Sequence, residues 1–410
     1  MILLRPLSHR PFALLWSGQT ISRLGDALYR LALGWWVLNK TGSAAIMSTV
    51  YIVSFAPMLV FLLIGGVVAD RLPRLRVMFW ADVMRGIITL TLAVLALSNI
   101  LQVWHVLVAS AAFGLAEAFF EPAFVSSIPS IAPGELLPSA NSLESLSRQL
   151  AAIIGPTLGA ILVATGGNGV AFAINALSFF ISAACVLPIL HIELPVVQSP
   201  RRLSFTAALC QMRDDLRAGF RAVTSSYWLW VTIVVAAFGN ICIGAVRTIG
   251  TPLLVRELLA GNVTVLGFLT TVAAVAGIVA ATIVGSIKRL RFRGIVYYVG
   301  YIVAGIGLVS MSIQMSVVGV LPGMVLLGAM PPVLGLILTN TLQQNIPREK
   351  LGRVNSVDML GSFALLPIGY GLVGWYGDLV GAARLFLAAG LVAVVLGLVG
   401  LSVREVRRLD

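Results

Sequence analysis

Two carboxylates, Asp26 and Glu117, stand inside long runs of otherwise apolar residues. A carboxyl group withdrawn from water can take up and release a proton as its surroundings change, so these two are candidates for proton coupling. Arg30 follows Asp26 by four residues and could instead form an intrahelical ion pair that only lowers the cost of burial. Glu121 repeats the helical face of Glu117 one turn on, where Arg74 or Arg148 could meet it as a structural gate pair. Asp82 with Arg85, Glu144 with Arg148, and Asp358 fall near the ends of their apolar runs and read as latch residues. Arg247 is open to three readings: an outer gate, a contact for an anionic substrate, or a side chain reaching the interface. Gln19, Asn240 and Tyr51, with Tyr29, Trp35 and Trp36, could line a cavity for a large, mostly apolar compound. The same amides and aromatics also suit interface anchoring and helix packing.

Other chemistries lack their residues. There is no Gly-rich loop ending in Lys-Ser/Thr to cradle phosphates, so direct ATP drive is not expected. His9, His105 and His191 do not cluster, and no nucleophile elbow or metal-ligand spacing appears, so neither an enzyme nor a metal or other cofactor is implied. Cys185, Cys210 and Cys242 are scattered and suggest no disulfide. An ion gradient is the remaining source of energy.

The elements that hold these residues must be membrane-spanning helices. Hydrophobic residues make up 59% of the 410 and charged residues 11%, with a mean hydropathy of +0.99, too apolar for a water-exposed surface. A span needs about 20 apolar residues, so the chain could hold roughly a dozen with short loops. Apolar runs punctuated by Pro, Gly and charge place them near 12–38, 43–69, 76–98, 103–126, 145–165 and 169–190, then 227–255, 263–287, 294–314, 317–342, 355–376 and 383–402. Counted by helical rise, Asp26 is then about 21 Å into the first span, a little past midplane. Glu117 lies at a similar depth in the fourth. The opening residues MILLRPLSHRPF lead into an apolar run that holds Asp26 and Arg30, unlike a cleaved signal peptide.

A net charge of +12 could suggest nucleic acid, but the basic residues sit in alternate loops. With twelve spans, 20 of the 28 fall on the side of the two termini, which should therefore be cytoplasmic. The chain also repeats itself. The stretch from Pro133 to Glu144 aligns without gaps on Pro347 to Asp358, matching Glu135 to Glu349 and Asn141-Ser142 to Asn355-Ser356 at an offset of 214 residues. Both copies precede the fifth span of their half, as duplicated units require. The expected organisation is a six-helix bundle over 1–190, a cytoplasmic linker over 191–226 and a second six-helix bundle over 227–410.

Between the second and third spans lies Gly66-Val-Val-Ala-Asp70-Arg71-Leu-Pro73-Arg74-Leu-Arg76. This segment resembles the loop motif of the major facilitator superfamily, with Pro73 where that motif usually has Gly. The resemblance implies that Asp70, Arg71 and Arg74 help gate the cytoplasmic side; an ordinary positive-inside loop is the alternative. A degenerate copy, Gly285-Ser-Ile-Lys288-Arg289, follows the eighth span without the acid. Gly155-Pro156-Thr-Leu-Gly159 in the fifth span is similar to part of the exporter motif, although the upstream and final glycines are absent. Glu121-Pro122-Ala123, the Asn-Ser loops and Pro367-Ile-Gly369-Tyr-Gly371 extend the likeness to the drug-efflux branch that includes macrolide efflux and enterobactin export proteins.

The expected protein is thus an all-α membrane protein of about twelve transmembrane helices in two six-helix bundles, in the bacterial cytoplasmic membrane. It should act as a monomer, exporting an amphipathic small molecule against protons, with the bilayer and no nucleic acid as its surroundings. Asp26 and Glu117 are assigned to coupling, Gln19, Arg30, Tyr51, Asn240 and Arg247 to the substrate, and Asp70, Arg71, Arg74, Glu121, Arg148 and Asp358 to gating. Uptake or lipid movement on the same fold, and a membrane scaffold or receptor that transports nothing, are the alternatives.

Overall fold

A backbone inside a bilayer finds no water to bond, and the α-helix satisfies it locally. In the computed structural model of the chain, described over residues 2–132, 134–192, 217–287, 291–363 and 365–409, helices dominate and no strand occurs among the described residues. Helix α1 (Arg10–Thr41) begins with Pro11 near its first position, where a missing N–H costs nothing. It ends at Gly42, left-handed at φ 71°, whose N–H bonds the Leu38 carbonyl. After it come α2 (Ala44–Arg71), α3 (Arg74–Leu97), α4 (Val103–Ile131) and α5 (Leu137–Val186). The start of α4 is fixed by Gln102, whose N–H donates to His105 Nδ1 at 3.0 Å in a capping box.

The next helix, α6 (Tyr227–Gly239), runs through a π-helical segment, Asn240–Gly250, into α7 (Thr251–Glu257). Then follow α8 (Val263–Ser286), α9 (Arg293–Ser312), α10 (Val317–Asn345), α11 (Arg348–Phe363), α12 (Leu366–Ser402) and the short α13 (Arg404–Arg407). Asn262 and Ser316 accept backbone N–H bonds at the starts of α8 and α10.

Nine stretches among the described residues are long and apolar enough to cross a bilayer. Gly134–Ile189 and Leu351–Ser402 each hold two spans, joined at Gly167 (φ 78°, ψ 174°) and Gly381 (φ 80°, ψ 169°). With these doubled and the 32-residue α1 added, the described residues hold twelve spans, the number expected from the sequence. The two glycines stand 214 residues apart, the offset found in the loop repeat, and have nearly the same backbone geometry.

The chain divides into two compact units. The first comprises Met1–Gly42 and Thr49–Arg202. Here α5 packs along α1 and α3, and α3 packs along α4. The Gly155-Pro156 segment of α5 lies on α1: a Cβ at Gly159 would come within 2.9 Å of the Leu28 carbonyl oxygen, so only glycine permits this approach. Phe12, Leu15, Met78, Phe120, Phe124 and Val186 form much of the core. Trp80, Ile87 and Val108 face outward, as hydrocarbon allows.

The second unit comprises Ser43–Ser48 and Leu203–Asp410. Within it α9 packs on α12 and α10, and α10 on α8. Tyr298, Leu308, Met324 and Phe386 are fully buried. The Asp378 carboxylate caps α2, accepting the Ala44 N–H at 2.6 Å, the Ala45 N–H at 3.0 Å and the Ser43 hydroxyl. The side chains of 62–71 and 348–350 and the whole of 193–216 and 288–290 fall outside the described residues. The expectations for Asp70, Arg71, Lys288, Arg289 and most of the linker fall there with them.

Candidate functional site

Arg85 is the centre of the ionic chemistry in the first unit. It lies eleven residues into α3, about 17 Å along the helix, and is 2% exposed. A guanidinium at that depth requires compensating charge, and two carboxylates supply it. One Arg85 Nη donates to Asp82, three residues back on the same helix, and the other to Glu117 Oε2 on α4 at 2.7 Å. The cation also lies over the rings of Phe120 at 4.0 Å, Phe179 at 4.6 Å and Phe113 at 5.9 Å.

Asp82 is fully buried and held from three elements. Besides Arg85, it accepts from Ser182 Oγ of α5 at 2.7 Å and from Gln19 Nε2 of α1 at 3.3 Å; Gln19 also donates to Ser182 at 2.8 Å. Asp82 and Arg85, expected near the end of their span as latch residues, are instead a pair in its middle. Their i,i+3 spacing made the pairing readable from the sequence, and the expected span of 76–98 starts only two residues after α3 does, so the misreading lay in placing the pair at an end of that run.

A cavity of about 350 Å³ opens beside this cluster. Gln19, Asp26 and Arg30 of α1, Glu117 and Glu121 of α4, and Arg148 of α5 line it with Arg85. Asp26 is 7% exposed, and its Oδ1 is buried without a hydrogen-bond partner. Its charged neighbours are Arg85, Arg30, Glu117 and Asp82, yet no ion pair joins it to Arg30 among the described residues. Arg30 is exposed, and its carbonyl accepts the Tyr51 hydroxyl at 3.3 Å. The structure thus brings the two coupling candidates, Asp26 and Glu117, to one cavity, together with Gln19, Arg30, Glu121 and Arg148.

Arg74 and Arg148, both considered as partners for Glu121, bond elsewhere. Arg74 donates to the Ser126 carbonyl at 2.8 Å and to Ser130 Oγ at 3.2 Å, tying the start of α3 to α4. Arg148 meets Glu144 at 3.2 Å, one turn along α5, and Arg23 of α1 closes on the same carboxylate. Arg23, which lines the cavity and lies over Phe124 at 4.9 Å, was not singled out from the sequence. Its i+3 distance from Asp26 was a usable signal.

The remaining candidates lie in the second unit. Asn240 Nδ2 donates to the Ser362 carbonyl at 2.7 Å, joining the π-helical segment to α11. Ser362 in turn donates to Asp358 at 3.2 Å. Arg247 projects from the π-helical segment and is exposed. Tyr297, Tyr298 and Tyr301 are buried on α9, with Tyr298 bonded to Thr232 at 2.9 Å. The sequence reading passed over these tyrosines because aromatic residues in apolar helices usually pack rather than act.

Comparison with known proteins bears on the family and the fold. A family model described as transmembrane secretion effector matches residues 3–410. Macrolide efflux protein A of Streptococcus pyogenes is 23% identical over 409 residues, covering 97% of each chain. Multidrug efflux pump Tap of Mycolicibacterium fortuitum is 27% identical over 94% of each. Enterobactin exporter EntS of Salmonella typhimurium is 26% identical over 86% of this chain and 82% of its own. Among solved structures, a POT family transporter in complex with 5-aminolevulinic acid superposes with a TM-score of 0.76 over 97% of both chains, at 14% identity, a likeness of fold alone.

Proposed function

This chain belongs to the transmembrane secretion effector family of the major facilitator superfamily, and from that premise we propose that it exports an amphipathic small molecule, a drug or siderophore-like compound, in exchange for protons by alternating access. The observation that carries the reading is Asp26, a buried carboxylate with an unpartnered oxygen on a cavity that also holds Glu117. A buried charge without a partner is costly and is removed by protonation or matched by a bound group. Each event stabilises different conformations to different degrees, which is what drives an alternating cycle. Similarity to efflux proteins for macrolides, several drugs and enterobactin supports the outward direction. Asp26 and Glu117 exchange the protons, Gln19, Arg30, Tyr51, Asn240 and Arg247 contact the substrate, and Asp70, Arg71, Arg74, Glu121, Arg148 and Asp358 gate. The protein works as a monomer with both termini in the cytoplasm of a bacterial cell.

The test is a growth-inhibition panel that includes a macrolide, run with and without the protein and repeated with a protonophore. It is paired with uptake into everted membrane vesicles under an imposed pH gradient. Export by proton antiport predicts resistance that the protonophore abolishes, and substrate accumulation in acid-inside vesicles. Substrate moving with the proton toward the cytoplasmic side would refute export. Unchanged transport by an Asp26→Asn, Glu117→Gln double variant would refute the coupling.

A further inference from the structure

A group of arginines that the transport reading leaves unused gathers at one end of the second unit, where α9 begins and α12 ends. Arg291 and Arg293 stand at the start of α9, and Arg404, Arg407 and Arg408 lie on or beside α13, the short helix that follows α12. Packing brings the two sets together. Val406 is fully buried, and α13 packs on α9, α12 and α6. A Cβ at Gly294 would fall 2.0 Å from the Val406 carbonyl oxygen, so the two backbones touch there, one residue from Arg293 and one from Arg407. Seated in this way, α13 holds its arginines beside those of α9.

Five guanidinium groups meet one carboxylate in this cluster, that of Glu405, which leaves four positive charges in excess. No ion pair joins Glu405 to any of the five among the described residues. Arg293 donates to Gln344 of α10, a neutral acceptor, and Arg291, Arg404, Arg407 and Arg408 are exposed. Like charges held close by packing repel one another, and an anion set among them relieves the repulsion. Beyond the arginines the same two helices turn apolar faces outward. Val296, Val299 and Ile306 recur at helical spacing along one side of α9, and Val395 and Val399 do so along α12. Phe292, exposed between Arg291 and Arg293, adds a ring at the junction of the charged and apolar layers. An anion that carries long apolar chains matches both layers, whereas a free anion uses only the first.

We propose that this end of the second unit seats an anionic phospholipid, its phosphate held among Arg291, Arg404, Arg407 and Arg408 and its acyl chains lying along α9 and α12. The lipid is a resident of the bilayer bound at the edge of the protein, not cargo of the first unit's cavity. The proposal uses neither the direction of transport nor its energy source, and it stands or falls apart from them.

The probe is dioleoylphosphatidylglycerol, added in mixed micelles to the detergent-purified full chain and read as the rise in melting temperature that a bound ligand produces. The expected result is a saturable rise with this lipid and little with dioleoylphosphatidylcholine. Glycerol 1-phosphate, which carries the phosphate without the chains, should give none, and added salt should weaken the lipid's effect. The double variant Arg404→Gln, Arg407→Gln, checked for folding by gel filtration, should lower the affinity about 25-fold, or about fivefold for each arginine near the surface. Arg5→Gln, Arg10→Gln removes as many exposed charges from the first unit and should leave the affinity unchanged. No saturable rise, equal rises with the two lipids, undiminished binding by the Arg404, Arg407 variant, or equal losses in the two double variants would each overturn the proposal. A rise with glycerol 1-phosphate equal to that with the lipid would overturn it as well, in favour of a free-phosphate site. None of these outcomes bears on export, which the vesicle assay decides.

Discussion

Replacing Arg85 by Met tests whether the ionic cluster is held together by that one guanidinium. The variant keeps a stem of similar length but leaves Asp82 and Glu117 without their shared cation. Removing one partner of a buried ion pair costs about 3–5 kcal/mol. Glu117, whose side chain is 26% exposed, can recover some hydration, and Asp82 keeps its bonds from Gln19 and Ser182. Both features favour the lower end, about 3 kcal/mol. Loss of the cation over Phe120 and Phe179 adds about 1 kcal/mol. For a unit of this size, about 4 kcal/mol corresponds to a fall in melting temperature of about 8–16 °C. Thermal unfolding of the purified protein in detergent, at one fixed scan rate, reads it. Arg85→Lys keeps the charge but loses the fork that reaches both acids, and should fall between the two. Adding Asp82→Asn to Arg85→Met should recover part of the loss, because an uncompensated charge is then removed. A melting temperature for Arg85→Met within about 2 °C of the parent would refute the account.

At Glu144, where Arg23 and Arg148 converge, Glu144→Gln should destabilise the chain by about 2–3 kcal/mol. Arg148→Ala should cost under about 1 kcal/mol, because that side chain is 58% exposed; thermal melts of the two variants compare them directly. Gly167→Ala and Gly381→Ala each place a Cβ in a backbone region that only glycine enters readily, and both should lose about 1–3 kcal/mol. Similar melting shifts in the two variants are expected, and an effect in one alone would contradict their equivalence. Tyr298→Phe removes the bond to Thr232 and should cost about 1 kcal/mol in the same assay without altering transport.

The fold was almost wholly legible, since hydrophobic run length sets the spans and a bilayer admits few alternatives to helices. The two double helices were read as four spans because glycine and polar residues interrupt their apolar runs near Gly167 and Gly381. The π-helical segment at Asn240–Gly250 was not legible. Its one-residue change in backbone bonding leaves the apolar run intact, and nothing in residue type marks it. Depth was legible for Asp26 and Glu117, which stand far from any loop, but not for Asp82 and Arg85. The expected start of their span, 76, lay within two residues of the observed one, so what was missed was their position inside the run and not where the helix begins. Partner choice was the least legible. Arg148 and Arg74 each had several acceptors within a turn or a loop, and only packing decides among Glu144, Glu121 and the backbone of α4.

The pairing of Asp82 with Arg85 inside one helix also bears on how the chain is made. A membrane protein enters the bilayer span by span as it is synthesised, and α3 must commit before α4, which carries Glu117, has left the ribosome. An isolated Arg or Asp at mid-span costs about 2.5–3.5 kcal/mol to insert. Two of them could divert the segment back to water. Spaced three residues apart, each screens the other from the moment the helix forms, so α3 brings its own counterion into the lipid. Glu117 then arrives on α4 to find a cation already waiting, and the order of synthesis becomes the order in which the charged cluster is assembled.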